Sequence, residues 1–404
     1  MKAGISAVFG RRRELGILKG APSVCAAAML AIGGAGAGLA AQAPAVEPVF
    51  RFSVDSVHRE IIAELSPLYL PAHATHHDIA QLPPQAVVLP VTGWIEGYAG
   101  EIVDSAGRPV PSVVIHHLNL IVPERRELFS TIMQRLGAAG AETPPVRLPE
   151  LFGHPLIGYP IHRGDSLLVT IMLNNPTDRT YRNARLRVRL PYAAQGVWPS
   201  PMSIVPFYLD VMPPAGKHEY DLPVGHSEKS WEGRPAVPGR ILAVGGHLHE
   251  YGVALRLEDV TAGRVLWQAA PVTDAAGHVV AMPTKTFWWR GGVHIEPDHI
   301  YRATAVYDNP TGHMIPGGAM GALGGVFLPD HMQQWPAVDR GSPEYQRDVQ
   351  VTYDTRMDDM DDMHGMQDRQ RSTAAMTAAT GASDRMHEQM VGADISTRRP
   401  APTP

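Results

Sequence analysis

Short apolar runs separated by turn-forming residues make up most of the first half of the chain. Breaks fall at Gly107-Arg108-Pro109 and Asn174-Asn175-Pro176, where glycine, asparagine and proline favour turns. Four runs predict strands, at residues 87–91, 113–122, 167–173 and 184–190. Because these strands follow one another without long helices between them, the pattern favours a β-sandwich over a doubly wound α/β sheet.

A second set of short runs follows Pro213-Pro214 and predicts a second sandwich. Its strands are expected at residues 240–245, 254–259, 265–268, 301–307 and 322–328. One segment departs from this pattern, because residues 124–136 have the spacing and propensity of a short helix. A loop is expected to follow this helix at residues 137–145.

The length of 404 residues suits two domains with terminal segments. We therefore predict an all-β fold of two consecutive antiparallel β-sandwiches, jelly-roll-like in form, at residues 44–207 and 208–335. Residues 336–404 are predicted to be a disordered tail, since from about residue 354 the apolar periodicity is lost. The tail contains metal-binding side chains set among aspartates: Met357, Met360, Met363, His364 and Met366.

Composition narrows the class of partner. The net charge of -5 provides no broad basic surface, so nucleic acid is excluded as an expected partner. The 39 glycines and 37 prolines exceed ordinary usage without reaching the level typical of disorder, which agrees with a turn-rich β protein. Composition does not predict an oligomeric state.

The first 43 residues have the layout of a bacterial export signal: Arg11, Arg12 and Arg13 precede a run of small and apolar residues. A membrane anchor is the alternative, but the run is rich in glycine and only weakly apolar. We expect cleavage near residues 40–43, by either the general or the twin-arginine route, and a periplasmic or secreted protein without stable membrane insertion. The single cysteine, Cys25, lies in this segment, so the mature chain can form no disulfide.

The most specific chemical signal is His247-Leu248-His249, at the end of an apolar strand. Residues two apart on a strand project from the same face, so the two imidazoles can bind one copper or zinc ion. A pair of solvated strand histidines is the alternative interpretation.

A second pair, His116-His117, lies within an apolar strand. Adjacent strand residues point to opposite faces, so both can bind one ion only where the backbone is irregular or at a sheet edge. Without such an irregularity, one would be a core histidine and the other a surface histidine.

Two methionines, Met314 and Met320, follow the His-x-His pair in sequence. A thioether is a soft ligand that suits Cu(I), so a methionine at this site would indicate a redox copper centre. Either residue is a candidate, with packing in the core as the alternative role.

The order of these motifs is His-His in the first predicted sandwich, followed by His-x-His and a late methionine in the second. In this order the chain resembles the copper type II, ascorbate-dependent monooxygenases, such as peptidylglycine α-hydroxylating monooxygenase and dopamine β-monooxygenase. The resemblance runs from residue 116 to 328 and is closest over 237–328. It implies that His247, His249 and Met320 bind the copper where oxygen binds and substrate is hydroxylated. Met320 fits better than Met314 because it enters the last apolar run.

The resemblance also implies a first-domain copper that stores electrons and is bound by His116, His117 and a later histidine. The expected later strand ends in Asn174, with no histidine where the family has its third ligand. Asn174 through its carbonyl oxygen, His154 or His162 are the candidates to replace it.

Three hypotheses of function remain open from the sequence. One is a copper monooxygenase that hydroxylates a C–H bond of a small-molecule substrate with O2 and an ascorbate-like reductant. Another is a copper-binding or copper-handling protein without turnover, favoured by the missing histidine and by the methionines of the tail. A structural module that merely retains some of the ligands is a third, weaker hypothesis.

Overall fold

A computed structural model of the chain describes residues 48–76, 78–140, 145–274 and 279–353. The export segment predicted at 1–43 and the methionines from Met357 to Met366 lie outside these residues. Within them, no helix is both long enough and apolar enough to span a membrane.

Among the described residues, strands make up most of the regular structure. The first fourteen strands are Val49–Asp55 (β1), Glu60–Leu70 (β2), Gln85–Val88 (β3), Gly93–Ile95 (β4), Gly97–Val103 (β5), Ile115–Arg126 (β6), Met133–Ala139 (β7), Val146–Arg147 (β8), Glu150–Leu151 (β9), His154–Pro155 (β10), Ile157–Ile161 (β11), Ser166–Leu173 (β12), Tyr181–Ala194 (β13) and Met202–Ser203 (β14). The remaining strands are Val205–Asp210 (β15), Glu219–Leu222 (β16), Gly225–Gly233 (β17), Gly239–Leu248 (β18), Gly252–Asp259 (β19), Arg264–Ala269 (β20), Val272–Thr273 (β21), Val279–Ala281 (β22), Lys285–Thr286 (β23), Val293–Ile295 (β24), Tyr301–Asn309 (β25) and Ile315–Pro329 (β26). Single turns of 3-10 helix lie at Ser112–Val114, Trp288–Arg290 and Met332–Gln334.

The first sandwich packs an eight-stranded sheet against a four-stranded one. The larger sheet has the order β1-β2-β13-β4-β11-β14, with β5 beside β13 and β8 beside β5, and the smaller has the order β3-β12-β6-β7. Strand β13 illustrates why these residues form strands: Leu186, Val188 and Leu190 are buried in the first core cluster. The arginines between them face the other side, and Arg187 binds Glu64 at 2.9 Å.

The second sandwich packs a six-stranded sheet against another four-stranded one. The order is β15-β26-β18-β23 in the larger sheet, with β16 beside β26 and β24 beside β18, and β17-β25-β19-β20 in the smaller. Phe207, Leu255 and Phe327 are among the residues of its separate core. The boundary predicted after residue 207 falls inside β15, which pairs with β26 of the second sandwich.

The larger sheet of the second sandwich has two different faces. Val244, Leu248 and Phe327 point into the second core. On the opposite face, Leu242, Val326 and Leu328 join the core of the first sandwich. Where these three side chains lie, this face of the sheet therefore packs against the first sandwich.

The helix predicted at residues 124–136 is wrong. Strand β6 continues to Arg126, a turn follows, and β7 begins at Met133. The reason is tertiary: the fully buried Glu127 carboxylate accepts hydrogen bonds from the backbone N–H groups of Leu128, Arg135 and Tyr208. These contacts across the chain override the helix propensity of the local sequence.

The start predicted for the disordered tail, residue 336, is too early, because an α-helix (α1) spans Pro343–Tyr353. Its Tyr345 packs with Ile121, Met133 and Leu168 on the outer face of the β3-β12-β6-β7 sheet. Asp348 is buried and binds Arg135 at 2.5 Å. Residues up to Tyr353 therefore belong to the folded part of the chain.

Each sandwich contains the same pattern of hydrogen bonds around a buried asparagine side chain. The Asn175 side chain donates to the carbonyls of Leu70 and Pro71 and accepts from the Thr177 hydroxyl. In the second sandwich, Asn309 repeats this pattern with Leu222, Pro223 and Thr311. In the first sandwich, the hydrogen bonds of Asn175 fix the chain immediately after Asn174.

Candidate metal sites

His247 and His249 lie at the end of β18, on the face opposite to the second core. Val244 and Leu248 are buried in that core, so the histidines project from the other side of the sheet. The centroids of the two imidazole rings are 5.2 Å apart and their planes are nearly perpendicular, at 87°. Two imidazoles that share an ion at about 2 Å have ring centroids roughly 5 Å apart, so this spacing suits a shared ion.

Met320 lies on the same face, on the neighbouring strand β26. The register pairs Leu248 with Gly321 and His247 with Ala322, so the next facing positions are His249 and Met320. Residues that face each other across an antiparallel pair project from the same side. Met314 precedes β26 and is 53% exposed, which favours Met320 as the thioether beside the two histidines.

The hydroxyl of Tyr307 connects the two strands that hold these side chains. It donates a hydrogen bond to the Met320 carbonyl and accepts from the Met320 N–H at 3.1 Å and from the His249 N–H at 3.0 Å. Tyr307 is fully buried, and burial raises its pKa to about 12. The phenol therefore stays protonated at physiological pH and fixes both backbones.

Three further polar residues lie on the same sheet face. The Tyr208 hydroxyl donates to the Asp210 carboxylate, and His218 Nδ1 lies 2.9 Å from the same Asp210 oxygen. The register pairs both Asp210 and His247 with Ala322, from either side of β26. Asp210 is 1% exposed, and it holds the ring of His218 so that Nε2 is the nitrogen left for other partners.

His116 and His117 lie at a β-bulge, the irregularity that a shared ion requires. Met172 pairs with His117, but Leu173 pairs with Ile115, so His116 is an extra residue on β6. The two imidazole centroids are only 4.3 Å apart. The bulge thus brings together side chains that a regular strand would place on opposite faces.

Asn174 follows the end of β12, opposite the start of β6, where its N–H donates to the Val114 carbonyl at 3.2 Å. Its side-chain oxygen is buried and has no hydrogen-bond partner among the described residues. His162 precedes β12, about 25 Å away along the eight-residue strand. His154 is exposed on the separate β9-β10 hairpin.

The structure brings a histidine that the sequence pattern did not select, His76, to the first pair. Its ring is parallel to that of His116, with a centroid separation of 5.3 Å. The loop that holds His76 has no strand periodicity. The only signal for it in the sequence is the density of histidines at His73, His76 and His77.

Among the described residues, no three His, Cys, Asp or Glu side chains form a closed group around a metal position. The donors nevertheless fit copper by type, since imidazole suits copper in both oxidation states and a thioether suits Cu(I). His247, His249 and Met320 lie on one sheet face and are candidate donors for one ion. His116 and His117 are candidate donors for a second.

No protein-family model matches the chain, and no curated protein matches it. Among solved structures, PNGase F, a glycosylasparaginase from Flavobacterium meningosepticum, is 9% identical with a TM-score of 0.35, over 67% of this chain and 96% of that chain. The STIV MCP is 10% identical with a TM-score of 0.33, over 68% of this chain and 98% of that one. Likenesses at this level add nothing about function to the geometry above.

Proposed function

We propose that the chain is a copper-dependent monooxygenase-like protein that hydroxylates a C–H bond of a small molecule with O2 and an external, ascorbate-like reductant. One observation supports this proposal above all: His247, His249 and Met320 project from one sheet face, and Tyr307 links the backbones of His249 and Met320. Two imidazoles and a thioether are a donor set for a copper ion that cycles between Cu(I) and Cu(II), whereas zinc rarely takes a thioether.

Each group has a distinct task in this proposal. His247, His249 and Met320 hold the copper, which supplies one-electron redox chemistry when bound. Tyr307 keeps the two ligand strands in register. His116 and His117 would hold a second copper, whose chemistry when bound would be to store an electron.

Hydroxylation by O2 forms one C–O bond and reduces the other oxygen atom to water, which consumes two electrons and two protons. We assign proton delivery to His218, because its ring is held by Asp210 on this sheet face. Asp210 orients its ring through Nδ1, so the proton would leave from Nε2. The reductant supplies the electrons.

Metal analysis and turnover test the proposal together. The mature protein is loaded with copper, and ascorbate-driven O2 consumption and product hydroxylation are measured with a panel of small C–H substrates. We expect turnover in the wild type and in Met314→Ala, and none in His247→Ala. Turnover that is equal in wild type and His247→Ala would contradict the proposal.

Copper handling without turnover is the second candidate function. It is favoured by Asn174, because an amide oxygen stands where the resembling family has its third imidazole and is a poor ligand for Cu(I). This alternative predicts copper binding and transfer to a Cu(I) chelator or acceptor protein, with no substrate-dependent O2 consumption.

A further inference from the structure

We propose that His76 is the third imidazole of the copper site at His116 and His117. This inference rests on the proposed copper binding by that pair. It identifies a ligand from an early loop, where the resemblance placed the ligand on a later strand.

Two of the ring separations among these residues are near those of ligands to one ion, with the His76 and His116 rings parallel to within 4°. The ring centroid of His76 lies 5.3 Å from that of His116, and the centroid of His116 lies 4.3 Å from that of His117. Imidazoles that bind one ion at about 2 Å have centroids roughly 5 Å apart. The three rings do not form a closed cluster in this structure, so their side chains must rotate as the ion binds.

The loop that holds His76 is tied to the site by hydrogen bonds. Gln81 Nε2 donates to the His76 carbonyl at 2.7 Å and to the Leu173 carbonyl at 3.0 Å, and Gln81 Oε1 accepts from the Leu173 N–H at 2.9 Å. Ala74 and Asn175 exchange two backbone hydrogen bonds, at 3.0 and 2.7 Å. The backbone of His76 is therefore held beside the end of β12, where Asn174 lies.

The side chain of Asn174 is consistent with an ion at this position. Its buried oxygen has no partner among the described residues, which is costly unless a donor or an ion approaches it. An imidazole N–H or a water held by a bound ion would satisfy this oxygen. Asn174 thus borders the site as a polar neighbour, and His76 supplies an imidazole nitrogen, a donor that suits copper better than an amide oxygen does.

The test is Cu(I) titration against a competing chelator in the full-length protein carrying His249→Ala, which disables the second site. In this background we expect His76→Ala and His116→Ala each to lower Cu(I) affinity by about tenfold or more. His73→Asn is the matched control, because His73 lies in the same loop, is exposed, and has φ of 55°, which asparagine tolerates. It should leave the affinity unchanged.

X-ray absorption provides a readout that loss of folding cannot imitate. The first-site copper should have about three imidazole ligands in the His249→Ala protein and about two after His76→Ala, at an unchanged thermal unfolding temperature. An effect of His116→Ala without an effect of His76→Ala, or an effect of His77→Ala in its place, would overturn the assignment of His76 and leave copper binding intact. If neither His116→Ala nor His76→Ala changes the affinity, both the first site and this inference are wrong. A tenfold gain from Asn174→His alone would show that the third imidazole was missing, and would also overturn the proposal.

Discussion

Tyr307 hydrogen-bonds Met320 in both directions: its hydroxyl donates to the Met320 carbonyl and accepts from the Met320 N–H at 3.1 Å. The same oxygen accepts from the His249 N–H at 3.0 Å. One buried phenol therefore fixes the spacing of two proposed ligands without contributing a donor to the metal. Residues that orient ligands in this way commonly affect metal affinity nearly as strongly as the ligands themselves.

We expect Tyr307→Phe to lower the free energy of unfolding by about 1–3 kcal/mol, because two buried N–H groups and a carbonyl lose their partner. Copper affinity at the second site should fall by about tenfold or more. Tyr220→Phe is the matched control, since the Tyr220 ring lies 6.3 Å from that of Tyr307 but its hydroxyl has no hydrogen-bond partner among the described residues. Chemical unfolding and Cu(I) titration measure both effects, and equal effects of the two variants would refute the role given to Tyr307.

The choice between the two methionines can be tested directly. Met320→Ala should lower Cu(I) affinity at the second site by at least about tenfold, or about 1.4 kcal/mol, because it removes the thioether beside His247 and His249. Met314→Ala should have little effect, since Met314 is exposed and precedes β26. Chelator competition at matched protein concentration measures both constants. A silent Met320→Ala together with a damaging Met314→Ala would show that the ligand is Met314.

Two truncations define where the folded chain ends. Removal of residues from 354 onward should leave thermal unfolding unchanged, because α1 ends at Tyr353. Removal from residue 343 onward should cost about 3–5 kcal/mol, because it leaves Arg135 buried without Asp348. Calorimetry separates the two outcomes. If removal of the residues from 354 onward lowers the melting temperature by several degrees, the segment beyond residue 353 docks on the sandwiches.

Glu127 makes stability depend on pH. Burial raises the pKa of its carboxyl from the ordinary value of 4.5 to about 7, despite three backbone N–H donors. The folded state therefore keeps a proton that the unfolded chain has lost, so this group's contribution to stability falls as pH rises from about 4.5 to 7.

Glu127→Gln removes this titration. We expect wild type to be more stable than Glu127→Gln at pH 5, since the amide NH2 would face a backbone N–H, and the difference to narrow at pH 8. Urea unfolding at the two pH values is the measurement. A difference that stays constant or widens as pH rises would contradict the raised pKa of Glu127.

The fold class was predictable because burial alternates along the strands. The expected strand at residues 184–190 lies within β13, and the expected strand at 322–328 lies within β26, so the two-sandwich architecture is confirmed. The helix expected at 124–136 failed because Glu127 and Gln134, good helix formers, are buried and held by contacts from distant strands. Local propensity contains no information about such contacts.

In the candidate sites too, some features were predictable from the sequence and others were not. Strand periodicity was enough to place His247 and His249 on one face, and the register with β26 then favours Met320. From the sequence, an irregular backbone at His116 was a condition for both histidines to bind one ion, but the bulge itself was not predicted. One extra residue on a strand leaves the apolar pattern unchanged. His76 could not be selected at all, because the proximity of its loop to β6 depends on Gln81 and Asn175, whose partners are far away in sequence.

Copper stoichiometry of the purified mature protein tests the central claim most directly. Cu(I) is titrated into wild type, His116→Ala and His249→Ala, with metal content measured after gel filtration. We predict two copper ions per chain in wild type and one in each variant, with the ion that His249→Ala retains bound by imidazoles alone. Wild-type protein that binds no copper, or a His249→Ala variant that keeps both ions, would contradict this prediction.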